Sequence, residues 1–317
     1  MNLGPADPLL GSVLAATYRI NRRLAEGGMG RVYEAEHVRL PRRFAVKVIH
    51  ARYATHEDAL LRFEREARAA ASIASDHVLS VIDAPRLPDG RPTIVSELLD
   101  GEDLHRRIRR VGRLGIAESI ALGRQLCLGL SAAHAHGVIH RDIKPSNLFL
   151  TARAAGETTL KILDFGVSKI VDSPSITLNG AIVGTPAYMA PEQAIGSSST
   201  DARADVYGAG AVLYRMLTGT APHAGDNPDD VLRKIVASKP TALRRLVVHI
   251  PRKLEAAIEA SMRKDPSQRP DAAELGRMLA GLSMLGSRKR EQSVEPGRDR
   301  VDEVTLVLAA LDPMQPA

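Results

Sequence analysis

The chain has 317 residues, 44% of them hydrophobic and 25% charged, a balance that suits a folded soluble protein with a sizeable core and argues against a disordered or fibrous chain. Aromatic residues make up only 3% and tryptophan is absent, so that core must be packed from Leu, Val, Ile and Ala. The formal charge of +6 would suit an anionic partner, but the basic residues are interspersed with acids and accompany no helix-turn-helix, zinc-finger or RNA-binding pattern, so nucleic acid is not expected.

Met1 to Pro8 carries Pro, Asp and Gly where a signal peptide would have an apolar centre. The late apolar run Val304 to Leu311 is well short of the roughly 20 residues of a membrane helix, so the expectation is a cytoplasmic chain without a membrane span. Met1 to Thr17, with Gly4, Pro5 and Pro8, reads as a flexible lead-in. Tyr18 to Leu24 and Arg31 to Ala35 read as strands joined by Ala25-Glu26-Gly27-Gly28-Met29-Gly30. Such a turn brings bare backbone N–H groups close to phosphate oxygens, because no side chain holds the anion away. Alone it is a weak signal, since glycine-rich turns also merely close hairpins. Its sequel strengthens it: Phe44 to Ile49 reads as a strand in which Lys47 is embedded among apolar residues, where a purely structural strand rarely places a charge.

Tyr53 to Ser75 has helical spacing at Leu60, Phe63, Ala67 and Ala70, and carries Glu64 and Glu66. His77 to Asp83 and Arg91 to Leu98, separated by Pro88-Asp89-Gly90, complete an expected five-stranded sheet. Asp103 to Arg113 holds Arg106, Arg107, Arg109, Arg110 and Arg113; a solvated helical face is preferred there over a contact with an acidic partner. Ala117 to His136 reads as a second helix stopped by Gly137. Within it Cys127 stands among leucines and is read as a buried thiol; a single cysteine makes no internal disulfide. His134, His136 and His140 do not form a metal set, since a helix end running into a strand would not converge them.

The chemistry concentrates in His140-Arg141-Asp142-Ile143-Lys144-Pro145-Ser146-Asn147 and, further on, Asp164-Phe165-Gly166. Phosphoryl transfer needs little covalent help but much positioning: one carboxylate orients the attacking hydroxyl while other oxygen ligands hold a metal against the phosphates. Asp142, Asn147 and Asp164 supply such oxygens.

Taken in order, Gly27 and Gly30, Lys47, Glu66, Asp142, Asn147 and Asp164 resemble the motifs of the eukaryotic-type protein kinases, over about Tyr18 to Leu285. Lys144, two residues after Asp142, is similar to the serine/threonine branch found in bacteria. The resemblance implies a two-lobed α+β fold: a small antiparallel β lobe with one major helix over about residues 18–96, and a larger helical lobe over about 100–285. Residues 286–317 would be a solvated tail.

It further implies that Leu24, Ala25, Gly27, Gly28, Gly30, Val32, Ala45, Lys47, Ser96, Glu97 and Leu99 surround ATP, with Glu66, preferred to Glu64, as the ion-pair partner of Lys47. Ala25 departs from the family pattern, which has glycine there; Ser96 is smaller than the usual side chain at the back of the nucleotide pocket. Asp142 and Lys144 would be catalytic, and Asn147 and Asp164 would bind magnesium. Thr177, then Ser175, are the candidate sites of regulatory phosphorylation, read by Arg141. His140, Phe165, Gly166, Thr185, Asp205 and the pair Glu192 with Arg269 would be structural.

The expected partners are proteins bearing Ser or Thr, with a transient homodimer for autophosphorylation. Two alternatives differ in class: a nucleotide-binding pseudokinase scaffold, and a basic protein of nucleic-acid or membrane surfaces. A P-loop ATPase is disfavoured, since no Gly-Lys-Ser/Thr phosphate loop is present.

Overall fold

Side chains that alternate between two apolar faces explain the first half of the architecture. In the computed structural model, which describes residues 7–28, 30–54, 56–152, 158–165, 186–197 and 200–286, strands β1 (Val13–Leu14), β2 (Tyr18–Glu26), β3 (Gly30–His37) and β4 (Arg43–Ile49) run antiparallel. Helix α1 (Glu57–Ala71) follows, then β5 (Val81–Asp83) and β6 (Thr93–Glu97), and the strands assemble in the order β1-β2-β3-β4-β6-β5. Register places Lys47 opposite Val32 on one side and Ile94 on the other, near the middle of the sheet. Phe63 and Ala67 of α1 pack with Ile49 and Ile94, which anchors the helix beside the lysine strand.

The sheet has six strands where five are expected, and Asp7, Leu9 and Val13–Leu14 lie against it. The face formed by Tyr18, Ile20, Tyr33, Phe44, Val46 and Val48 would be open to water without a cover. Leu14, 3% exposed, fills it from β1, Leu9 packs against it, and Asp7 accepts a hydrogen bond from the Tyr33 hydroxyl at 2.8 Å. Burial and that carboxylate together push the Tyr33 hydroxyl up to about 12.

The second half begins with β7 (Gly101–Asp103), α2 (Leu104–Val111) and α3 (Ile116–Ala135), followed by β8 (Leu148–Ala152) and β9 (Thr158–Ile162), which form a small sheet with β7. The Asp103 side chain caps α2 by accepting from the Arg106 N–H at 2.8 Å. Then come α4 (Pro191–Ala194), α5 (Arg203–Thr218), α6 (Pro228–Ala237), α7 (Leu243–Leu246), α8 (Arg252–Ser261) and α9 (Ala272–Gly286). The core lies between α3, α5, α8 and α9, with Leu126, Leu130, Val212, Leu213, Leu254 and Leu279 fully buried. Helix α5 is apolar nearly all round, as a central helix must be. At Gly208 an added Cβ would stand 2.8 Å from the Ile143 side chain, so the missing side chain is what seats the 140–147 loop on α5.

The expected strand at His77 to Asp83 is shorter, because residues 77–79 bond to β9 instead: Ile162 N–H donates to His77 carbonyl at 2.9 Å and Leu79 N–H to Ile162 carbonyl at 3.0 Å. This stitch joins the β lobe to the helical lobe. Cys127 is buried, and desolvation pushes its thiol up to about 12, which keeps it protonated and inert. Among the described residues no helix is long and apolar enough to cross a membrane. The tail from 287, including Val304 to Leu311, lies outside the described residues.

Candidate active site

The cleft between the lobes is floored and roofed by apolar side chains. Leu24, Ala25 and Val32 from the first hairpin, Ala45 from β4 and Leu99 beyond β6 form one cluster with Phe149 and Leu163 of the other lobe. Phe149 and Leu163 were not anticipated; the signal for Phe149 was the apolar run directly after Asn147. Ala25 pairs with Val32 in the ladder and is not among the positive-φ residues, so the departure from glycine there costs no backbone strain. Gly30, by contrast, is required: a Cβ would lie 2.3 Å from the Val48 carbonyl oxygen.

Lys47 reaches across the cleft to Asp164, Nζ to Oδ1 2.8 Å, with both side chains largely buried. The side chain of Glu66 lies outside the described residues, as do Gly166, Ser175, Thr177 and Thr185. Ser96 is 2% exposed and its hydroxyl donates to the Glu97 carbonyl at 3.3 Å. The Glu97 carboxylate accepts from the Ser80 N–H at 2.8 Å and from Lys161 Nζ at 2.7 Å, tying the segment between the lobes to β9.

Asp142 is held from two sides. Lys144 Nζ stands 2.9 Å from its Oδ2, and Asn147 Nδ2 donates to its carbonyl at 2.8 Å and to Oδ2 at 3.1 Å. With its amide nitrogen committed, Asn147 presents a buried Oδ1 that has no hydrogen-bond partner. An orphaned amide oxygen and the carboxylate of Asp164 are the donors a hard divalent cation prefers, so the residues fit magnesium.

The backbone that carries these groups is strained and pinned. Arg141 and Asp164 have φ of +65° and +54°, a region costly for residues with a Cβ. Buried Asp205 accepts from the N–H groups of His140 at 2.8 Å and Arg141 at 2.6 Å, and from His134 Nε2 at 2.8 Å. Gln193, a residue the sequence did not single out, donates to the Arg141 carbonyl at 2.9 Å. The His140 Nδ1 accepts from the Asp142 N–H at 3.2 Å, which leaves Nε2 as the donor to the Leu163 carbonyl at 2.7 Å. The same ring packs edge-on against Phe165, and Leu163 N–H returns a bond to the Asn147 carbonyl at 2.9 Å. One histidine therefore sets the spacing between the two acid-bearing segments.

Farther off, Glu192 and Arg269 form a bidentate pair at 2.6 and 2.7 Å, with the guanidinium also donating to the carbonyls of Arg263, Arg203 and Lys264. Losing one partner of such a buried pair costs about 3 to 5 kcal/mol. On α2, Arg106 pairs with Asp103, Arg107 with Glu102 and Glu118, and Arg110 with Glu102, so much of that arginine face is neutralised locally.

A curled antiparallel sheet over a helical lobe, with a strand lysine paired to an acid and a lysine-braced aspartate at the seam, is the architecture of the two-lobed nucleotide phosphotransferases. The family model described as protein kinase domain matches residues 18–278. Curated relatives include serine/threonine-protein kinase pkn3 of Myxococcus xanthus, 34% identical over 96% of this chain and 56% of its own length. Another is serine/threonine-protein kinase PknA of Mycobacterium tuberculosis, 36% identical over 83% of this chain and 60% of its own. The crystal structure of the Mycobacterium tuberculosis PknI kinase domain superposes with a TM-score of 0.67 at 25% identity, covering 86% of this chain and 98% of that one. The chain belongs to the protein kinase family, in its bacterial serine/threonine branch. It spans little more than half the length of the two curated relatives named.

Proposed function

We propose that the chain transfers the γ-phosphoryl group of ATP to serine and threonine hydroxyls of proteins, with magnesium. The observation that carries this reading is buried Asn147, whose nitrogen braces Asp142 while its Oδ1 is left without a hydrogen-bond partner. Most buried side-chain oxygens find a partner, so one left open beside Asp142 and Asp164 suits a ligand. Magnesium, when held by Asn147 and Asp164, would neutralise charge on the phosphate oxygens and fix their orientation.

Every other part of the chemistry falls to side chains of the chain itself. Asp142 orients the hydroxyl and takes its proton. Lys144, 2.9 Å from it, places a positive charge where negative charge shifts during transfer. Lys47, with Glu66 as its ion-pair partner, serves the α and β phosphates, Gly27, Gly28 and Gly30 lie over them, and Leu24, Ala25, Val32 and Ala45 enclose the adenine. The backbone of Glu97 and Leu99 reads its edge. Thr177, and after it Ser175, are the self-modified positions; Arg141 receives the phosphate, and a transient homodimer brings the segment to a second copy's site. The reaction belongs in the cytoplasm, where ATP is supplied.

Labelled ATP with magnesium tests the reading directly. The purified protein should incorporate phosphate into itself or a generic Ser/Thr substrate, and Asp142→Asn should lower the rate by a factor on the order of 10² or more. Mass spectrometry should place phosphate at Thr177 or Ser175. ATP binding without any transfer, in the presence of substrate proteins, would instead favour the scaffold.

A further inference from the structure

The turn between β2 and β3 is closed internally, Gly27 N–H donating to the Gly30 carbonyl at 2.9 Å. Its carbonyls are taken from outside by the residues that follow β4. His50 Nε2 lies 2.7 Å from the Gly27 oxygen, the Arg52 guanidinium donates to the Gly28 oxygen, and the Tyr53 hydroxyl reaches that same oxygen at 3.4 Å. Arg52 in turn lies over the Tyr53 ring, 5.1 Å from its centroid. None of these three side chains belongs to the constellation around Asp142 and Asp164.

A carbonyl oxygen carries no proton, so the imidazole nitrogen facing Gly27 is the donor. In a trans peptide the C=O and the N–H point in opposite directions. Anchoring the Gly27 carbonyl therefore fixes the direction of the Gly28 N–H, one of the bare donors at the tip of the turn. Glycine-rich backbone loses more conformational freedom on ordering than any other. A turn already held in the free protein gives up less of it when a ligand binds. Glu26, at the base of the turn, is bound to Arg31 at 2.9 Å and Arg23 at 2.8 Å, so the hairpin is fixed below its tip as well.

We propose that His50 and Arg52 are positioning residues for the nucleotide phosphates, clamping the carbonyl edge of the glycine turn so that its N–H edge is set before ATP arrives. The proposal rests on the reading of this turn as the phosphate cradle. It attributes to the clamp an effect on phosphate-bearing ligands and none on the adenine pocket.

The test uses the whole chain with His50→Leu, His50→Gln and Arg52→Ala. In the nucleotide-free protein, amide hydrogen exchange in the peptide covering the glycine turn should speed up in His50→Leu and Arg52→Ala. Affinity for ATP with magnesium should fall about five- to tenfold, the size of one lost hydrogen bond, while affinity for adenosine holds. His50→Gln, whose side-chain amide also donates, should recover most of both. Unchanged exchange and unchanged ATP affinity in His50→Leu would overturn the clamp, as would equal losses for ATP and adenosine. A wild-type chain that binds no ATP would overturn the nucleotide reading itself, a result the variants cannot mimic.

Discussion

At Ser96 the side chain is short, and it lines a small pocket together with Lys47, Ala67, Ala70, Ile94 and Phe165. Ala67 and Ala70 of α1 face the same pocket, and their short side chains add to the room that Ser96 leaves. ATP analogues carrying a bulky group on the adenine amino nitrogen should therefore be used by the wild-type protein, and Ser96→Phe should exclude them while keeping ATP. Steady-state rates with paired analogues check this; wild-type rejection of all of them alongside normal ATP turnover would show that the cavity is closed to ligands. Residues of this kind are legible in a sequence because chemistry restricts them: only an amide, a carboxylate or a lysine can fill the roles at Asn147, Asp164 and Lys47. Gln193 escaped notice because its work, one hydrogen bond to the strained Arg141 backbone, is open to several polar side chains and leaves no pattern.

At the scale of elements, the least legible was β1. Its two residues carry no periodicity, and the prolines and glycine around it signal irregular backbone without saying whether that backbone docks. The need for it lies elsewhere, in the apolar face of β2, β3 and β4, which becomes visible only once Tyr33, Phe44 and Val46 are seen on the same side. Leu14→Ala should cost about 2 to 4 kcal/mol, because the site is enclosed by that face. Val13→Ala, at a side chain 42% exposed in the same strand, should stay within about 0.5 kcal/mol. Denaturant unfolding of both variants decides it, and equal effects would mean that the strap is not part of the core. Helices α1 and α3 read well by comparison, since they declare themselves through spacing and length. The packing of the helical lobe did not, since it depends on glycines such as Gly208 whose partner, Ile143, is distant in sequence.

Across the whole molecule, Glu97 to Lys161 and the backbone bonds of His77 and Leu79 to Ile162 hold the two lobes in one relation, while His140 to Leu163 and Asp205 beneath the 140–147 loop brace the helical lobe from within. His223 breaks that pattern. It is 4% exposed between α5 and α6, and burial together with the nearby cations Lys264 and Lys234 lowers its pKa from 6.5 to about 4. The native state therefore refuses a proton that the unfolded chain accepts, and the sign follows. Stability is fully present above pH 6.5 and is lost as pH falls towards 4, since there the unfolded state binds more protons. From those two values the loss between pH 8 and pH 5 is about 2 kcal/mol for this one group. Carboxylates such as Glu255, held low by Arg244, add their own slopes, so the measurement is a difference: unfolding free energies of the wild type and His223→Leu at both pH values. The offset between the two proteins should shift by about 2 kcal/mol in favour of the variant on acidification. An offset independent of pH would mean that the His223 ring stays wet enough to titrate normally, and that the α5–α6 junction opens to water in the native state.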